Sequence, residues 1–214
     1  MSLNLPNRLT LLRLALVPFF LVFTVSDNVY TRVAALIIFI GASLTDLYDG
    51  KLARERNLVT VLGTFLDPLA DKFLISSAFV AFVQVPEIHV PAWMVVLIIG
   101  REFLITGLRT LAVSQGRVLA AQPAGKFKTT SQMVCIITTL VILIANSMME
   151  QVGWAPEMLQ DLVPTFGIFI FWLLKGGPYW MTFLTTLLTI LSGYLYIRNN
   201  IDLFNDERKP GLTR

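Results

Sequence analysis

Cysteine and histidine are almost missing from this chain, one of each in 214 residues, and charged side chains make up only 14%, against roughly a quarter in ordinary soluble domains. A single cysteine leaves no pair for a disulfide. Cys135 lies inside the apolar run VCIITTLVILIA, where a thiol packs as a small hydrophobe facing core or lipid. The one histidine, His89, stands alone in the loop PEIHVPA, so nitrogen and sulfur ligation is scarce and a zinc or non-haem iron centre is disfavoured. The net charge of +3 does not mark a nucleic-acid binder, because the basic residues gather in short connections between apolar stretches, the pattern of membrane topology.

What is abundant is apolar. Hydrophobic residues make up 55% of the chain and mean hydropathy is +0.70. Six apolar stretches near 9–26, 31–48, 63–85, 91–113, 129–148 and 178–197 approach the ~20 residues that span a hydrocarbon core. The expectation is one all-α domain over 1–214, a polytopic membrane bundle of six transmembrane helices with a flexible, solvated tail from about 203 to 214. No small-residue cleavage site follows the first stretch, which reads as a retained span. An even count of spans puts both termini on one side. Taking that side as cytoplasmic places nearly all lysines and arginines there and leaves Arg32 and Lys175 opposite, a strong positive-inside bias. The segment PTFGIFIFWLL, 164–174, is only about half a span. With Glu157 and Asp161 before it and Lys-Gly-Gly-Pro after it, it is expected to be an interfacial or re-entrant helix on the outer side.

Candidate chemistry concentrates between residues 46 and 71. Asp46 and Asp49 are three apart, Asp67 and Asp71 four apart, so on helices each pair shares one face, with Cβ atoms about 5–6 Å apart. Four carboxylates facing one another at a membrane boundary are costly unless protonated or neutralised by cations. A divalent metal is the natural partner, and oxygen-only ligation suits magnesium, manganese or calcium. For phosphate chemistry magnesium comes first. Gly50 and Ala53 follow Asp46 at i+4 and i+7, and Gly63 precedes Asp67 by four. Such small residues admit a ligand to the backbone or serve equally for tight helix packing.

Residues 46–71, DLYDGKLARERNLVTVLGTFLDPLAD, resemble the complete signature of the CDP-alcohol phosphotransferases, with Asp46, Asp49, Gly50, Ala53, Arg54, Gly63, Asp67 and Asp71 at its fixed positions. The resemblance extends over most of the chain, through LPNRLTLLRLALVPFF, REFLITGLRTLAVSQGRV and GKFKTTSQM, and departs from the family between about Met149 and Tyr179. It implies an enzyme that moves a phosphatidyl group from CDP-diacylglycerol to an alcohol and releases CMP. One or two Mg2+ or Mn2+ ions would be held by Asp46, Asp49, Asp67 and Asp71, with Asp71 also the general base. The nucleotide and its diphosphate would lie along Asp46, Asp49, Gly50, Ala53, Arg54 and Gly63. Asn7, Thr10 and Arg13 would also face the nucleotide, although an amphipathic opening to the first span explains them nearly as well. The resemblance further implies a homodimer in the bacterial cytoplasmic membrane with the active site facing the cytoplasm.

Arg101 and Arg109 are eight residues apart, about 12 Å along a helix, so both cannot sit at one membrane boundary. A deep Arg101 needs a partner or a polar cavity. Glu102 is one such partner. The functional reading joins Arg101 and Arg109 to Lys126 and Lys128 as an anion pocket for an acceptor that carries its own phosphate. Glycerol 3-phosphate as that acceptor rests on the resemblance. Two other readings stand beside it: a sister enzyme of the cardiolipin synthase kind with phosphatidylglycerol as acceptor, and a cation transporter. Transport fits poorly, because all four aspartates lie near one face and the opposite halves of the spans are almost purely apolar.

Overall fold

The computed structural model describes residues 5–55, 61–114, 123–154 and 164–201. Among the described residues six α-helices form, α1 (Leu5–Val25), α2 (Val29–Glu55), α3 (Val61–Gln84), α4 (Ala92–Ser114), α5 (Pro123–Gln151) and α6 (Pro164–Asn199), with a 3-10 turn at Pro86–Ile88. No strand occurs among the described residues. Local chemistry sets the helix ends. Asn28 caps α2 by accepting the Tyr30 N–H at 2.8 Å, as short polar side chains do at helix starts. Gly153, at φ +76°, closes α5 while the Trp154 N–H returns to the Met149 carbonyl at 2.8 Å.

Helix α1 packs on α2 and α3, α5 on α6 and α2, and α4 on α6 and α3. Phe20, Phe39, Phe79, Phe82, Ile98, Ile136, Leu140 and Leu143 are buried at their centre. The rest of the burial pattern inverts that of a soluble protein. Val22, Val96, Phe103 and Trp172 are each more than 60% exposed, whereas Arg32, Gln132, Thr139, Thr182 and Thr189 are fully buried. Apolar side chains outside and polar ones between helices are what a hydrocarbon solvent selects.

Among the described residues three helical stretches, Asn7–Val25, Phe127–Gln151 and Gly167–Asn199, are each long and apolar enough to cross a membrane, and Val29–Thr45 is a shorter apolar one. Helices α3 and α4 carry charges of the expected site within their apolar sequence, Asp67, Asp71 and Lys72 on the one and Arg101, Glu102 and Arg109 on the other.

One expectation is corrected. Residues 164–174 are not a separate interfacial or re-entrant helix but the first turns of the 36-residue α6, continuous with the last span. The Lys-Gly-Gly-Pro sequence does not break it. A Cβ on Gly177 would stand 3.4 Å from Ile142 Cδ1, so the missing side chain lets α6 press against α5. Pro178 forfeits one backbone bond, a loss that helices in membranes accommodate. The expected tail at 203–214 lies outside the described residues.

Candidate active site

The two aspartate pairs lie on helical backbone, Asp46 and Asp49 in the last turns of α2, and Asp67 and Asp71 in the first half of α3. Helix α2 runs past its apolar part, Val29–Thr45, to Glu55, so the signature residues Asp46 to Arg54 ride on a polar extension. The spacing places 46 with 49, and 67 with 71, on one face of each helix. The side chains of Asp46, Asp49, Gly50, Ala53, Arg54, Gly63, Asp67 and Lys126 lie outside the described part. Among the described residues no three carboxylate, histidine or cysteine side chains cluster for a metal, which leaves Asp71 as the described member of the expected ligand set.

Asp71 opens on a small, partly enclosed pocket between α3, α4 and α5, lined also by Lys72, Ile75, Ser76, Ile98, Glu102, Lys128, Thr129 and Gln132. Two lysines and two carboxylates therefore share one small volume. Lys72 Nζ donates to Thr106 Oγ1, whose own hydroxyl donates to the Glu102 carbonyl at 2.7 Å. Lys128, buried, pairs with Glu102 Oε1. The same oxygen receives Arg101 Nη1 at 3.2 Å. A carboxylate holding two cations keeps them desolvated and fixed beside the pocket, so little reorganisation is needed when another anion arrives.

Of the four basic residues expected to form an acceptor pocket, the three with described side chains are distributed. Lys128 lines the cavity, and Arg101 stands behind it, with Nη2 on Ser192 Oγ at 2.9 Å. Arg109 is exposed and lies over the Tyr196 ring, 5.6 Å from its centroid, with Nε 3.4 Å from the phenol oxygen. On α1, Asn7, Thr10 and Arg13 are all buried, which turns that helix's polar face into the bundle.

Sequence reasoning missed Lys72 and Gln132 as pocket residues, and Ser192, Gly193 and Tyr196 as supports. A Cβ on Gly193 would lie 3.1 Å from Arg101 Cγ, so the arginine stem crosses α6 where there is no side chain. It also missed what Arg32 does at the opposite end. That fully buried guanidinium donates to Ser26 O (2.9 Å), Asp27 Oδ1 (3.0 Å), both carboxylate oxygens of Glu87 (2.7 and 3.1 Å), Leu143 O (3.1 Å) and Ser147 Oγ (2.6 Å). The α1–α2 turn, the 3-10 turn and the end of α5 are latched through one side chain.

An all-helical membrane bundle with paired aspartates at the end of α2 and on α3 defines the class. The chain belongs to the CDP-alcohol phosphatidyltransferase family, matched over residues 3–190. It is 44% identical over 150 residues to the CDP-diacylglycerol--glycerol-3-phosphate 3-phosphatidyltransferase of Bacillus subtilis (strain 168), covering 64% of this chain and 77% of the relative. The enzyme of the same name from Escherichia coli (strain K12) is 41% identical over 142 residues, 64% of this chain and 76% of its own. That from Sodalis glossinidius (strain morsitans) is 32% identical over 189 residues, 86% and 93% respectively.

Proposed function

We propose that this protein transfers the phosphatidyl group of CDP-diacylglycerol to the primary hydroxyl of glycerol 3-phosphate, giving phosphatidylglycerophosphate and CMP. The observation that carries the reading is the pocket in which Asp71 meets Lys72 and Lys128. It supplies a carboxylate to take a hydroxyl proton and fixed cations to hold a second anionic group, which is what a phosphorylated alcohol requires. The names of the relatives support the same acceptor.

In this reaction the hydroxyl oxygen attacks the phosphorus that bears the diacylglycerol, the bond from that phosphorus to the CMP oxygen breaks, and Asp71 accepts the hydroxyl proton. An alcohol is a weak nucleophile, so a carboxylate within reach of its proton lowers the barrier. Lys72 and Lys128 orient the acceptor phosphate, which converts an encounter in solution into a positioned attack. Asp46, Asp49, Asp67 and Asp71 offer oxygen donors only, a set suited to magnesium or manganese. Such an ion, when bound, neutralises the diphosphate and the charge that develops on departing CMP. The pocket and both termini are assigned to the cytoplasmic side, and the working form to a homodimer.

CMP release by the purified protein in detergent tests the reading, with CDP-diacylglycerol and magnesium and with glycerol 3-phosphate, phosphatidylglycerol, inositol phosphate or serine offered separately. Release with glycerol 3-phosphate alone, abolished by a chelator, is the expected result. Release with phosphatidylglycerol instead would transfer the assignment to a cardiolipin synthase activity. Asp71→Asn should lose nearly all turnover while still binding CDP-diacylglycerol, and a variant that turns over normally would remove Asp71 as the base.

A further inference from the structure

Gln132 lies one helical turn beyond Lys128 on α5, lines the pocket with Asp71 and Glu102, and is completely buried. Neither its amide oxygen nor its amide nitrogen meets a hydrogen-bond partner. Folded proteins rarely leave both halves of a buried amide unsatisfied, and a leucine or methionine of similar size would fill the place without that cost. No protein group answers this amide, although its residue belongs to the pocket wall. A hydroxyl is the group that can satisfy both a donor and an acceptor.

The position says which hydroxyl. Lys128 is about 6 Å away along the α5 axis, and Asp71 faces the same cavity from α3. Glycerol 3-phosphate carries its phosphate, secondary hydroxyl and primary hydroxyl in that order. With the phosphate at Lys128 and the primary hydroxyl at Asp71, the secondary hydroxyl is the group left for Gln132, the residue of that wall whose polar atoms are buried without a partner. We propose that Gln132 is a specificity-determining residue that pairs with the acceptor's secondary hydroxyl and so selects a vicinal diol phosphate over a simple phosphorylated alcohol. The proposal rests on the acceptor reading above. A neutral amide suits the task because it does not compete with the phosphate for Lys128. A site built to bond a hydroxyl discriminates strongly against an analogue that lacks it.

The test compares kcat/KM for glycerol 3-phosphate with that for 3-hydroxypropyl phosphate, which keeps the phosphate and primary hydroxyl and lacks the secondary one. Wild-type protein, Gln132→Leu and Gln132→Met are assayed in detergent, with KM for CDP-diacylglycerol and the unfolding temperature followed in parallel. The wild type should prefer glycerol 3-phosphate by at least about tenfold. Both variants should narrow that preference to about twofold by losing efficiency on glycerol 3-phosphate alone, with KM for the lipid nucleotide unchanged and unfolding no earlier than in the wild type. An undiminished preference in the variants, no preference in the wild type, an equal loss on both acceptors, or earlier unfolding of both variants would each overturn the proposal. A wild type that turns over only an unrelated acceptor is a different result, because it removes the glycerol 3-phosphate reading itself.

Discussion

At the scale of single residues, the chemistry depends on side chains held by partners far away in sequence. Lys128 is buried against Glu102 and faces the cavity. Lys128→Met should therefore raise KM for glycerol 3-phosphate by roughly 10- to 100-fold, the range for a hydrogen bond to a charged group, and leave KM for CDP-diacylglycerol within about twofold. Steady-state CMP release with each substrate varied in turn measures both. Gly193→Ala places a methyl group against the Arg101 stem and should destabilise the protein by about 1 kcal/mol, seen as a lower unfolding temperature in detergent. Asp71 was legible in the sequence because its spacing from Asp67 is local. The Arg101–Ser192 and Arg109–Tyr196 contacts were not, since each joins residues some 90 positions apart and no periodicity encodes such a pairing. Gln132 was hidden for another reason: in the run TTSQMVC a glutamine reads as an ordinary polar residue near a helix start, and only the pocket shows that its amide is buried without a partner.

At the scale of helices, hydrophobic runs located the six described elements, but α5 starts at Pro123 where 129 was expected, and the larger misses fall where apolarity and helicity part company. Helix α2 continues through its charged signature to Glu55, beyond the expected end at 48, because Leu47, Lys51, Leu52, Ala53, Arg54 and Glu55 all favour helix even though they do not favour lipid. Helix α6 runs through Gly176, Gly177 and Pro178, residues that normally punctuate a helix, because contact with α5 outweighs their propensity. The helix ends opposite the pocket depend on Arg32. Arg32→Met leaves Glu87 without its bidentate partner and strips the Leu143 carbonyl and Ser147 hydroxyl of a donor. A loss of roughly 3–5 kcal/mol is expected, read as early thermal unfolding in detergent, with turnover per folded molecule little changed because the latch is remote from Asp71.

Across the whole molecule, pocket and latch stand at opposite ends. Lys128 and Ser147, both on α5, are about 28 Å apart along its axis, close to the ~30 Å of a hydrocarbon core. That separation supports a pocket on one side of the membrane and His89 on the other. Cys135 is buried and should resist a membrane-impermeant maleimide, so the wild type is already a quiet background for labelling. His89→Cys should react from outside intact cells, and Thr213→Cys only after permeabilisation; the reverse order would invert the topology. At the end opposite the pocket Arg32 and its acidic partners Asp27 and Glu87 neutralise one another, and beneath them lies a layer of Phe20, Phe39, Phe79, Phe82 and Leu140. Among the described residues that apolar layer separates the polar pocket from the Arg32 latch, so vesicles carrying the purified protein should hold an imposed proton gradient as long as empty vesicles do.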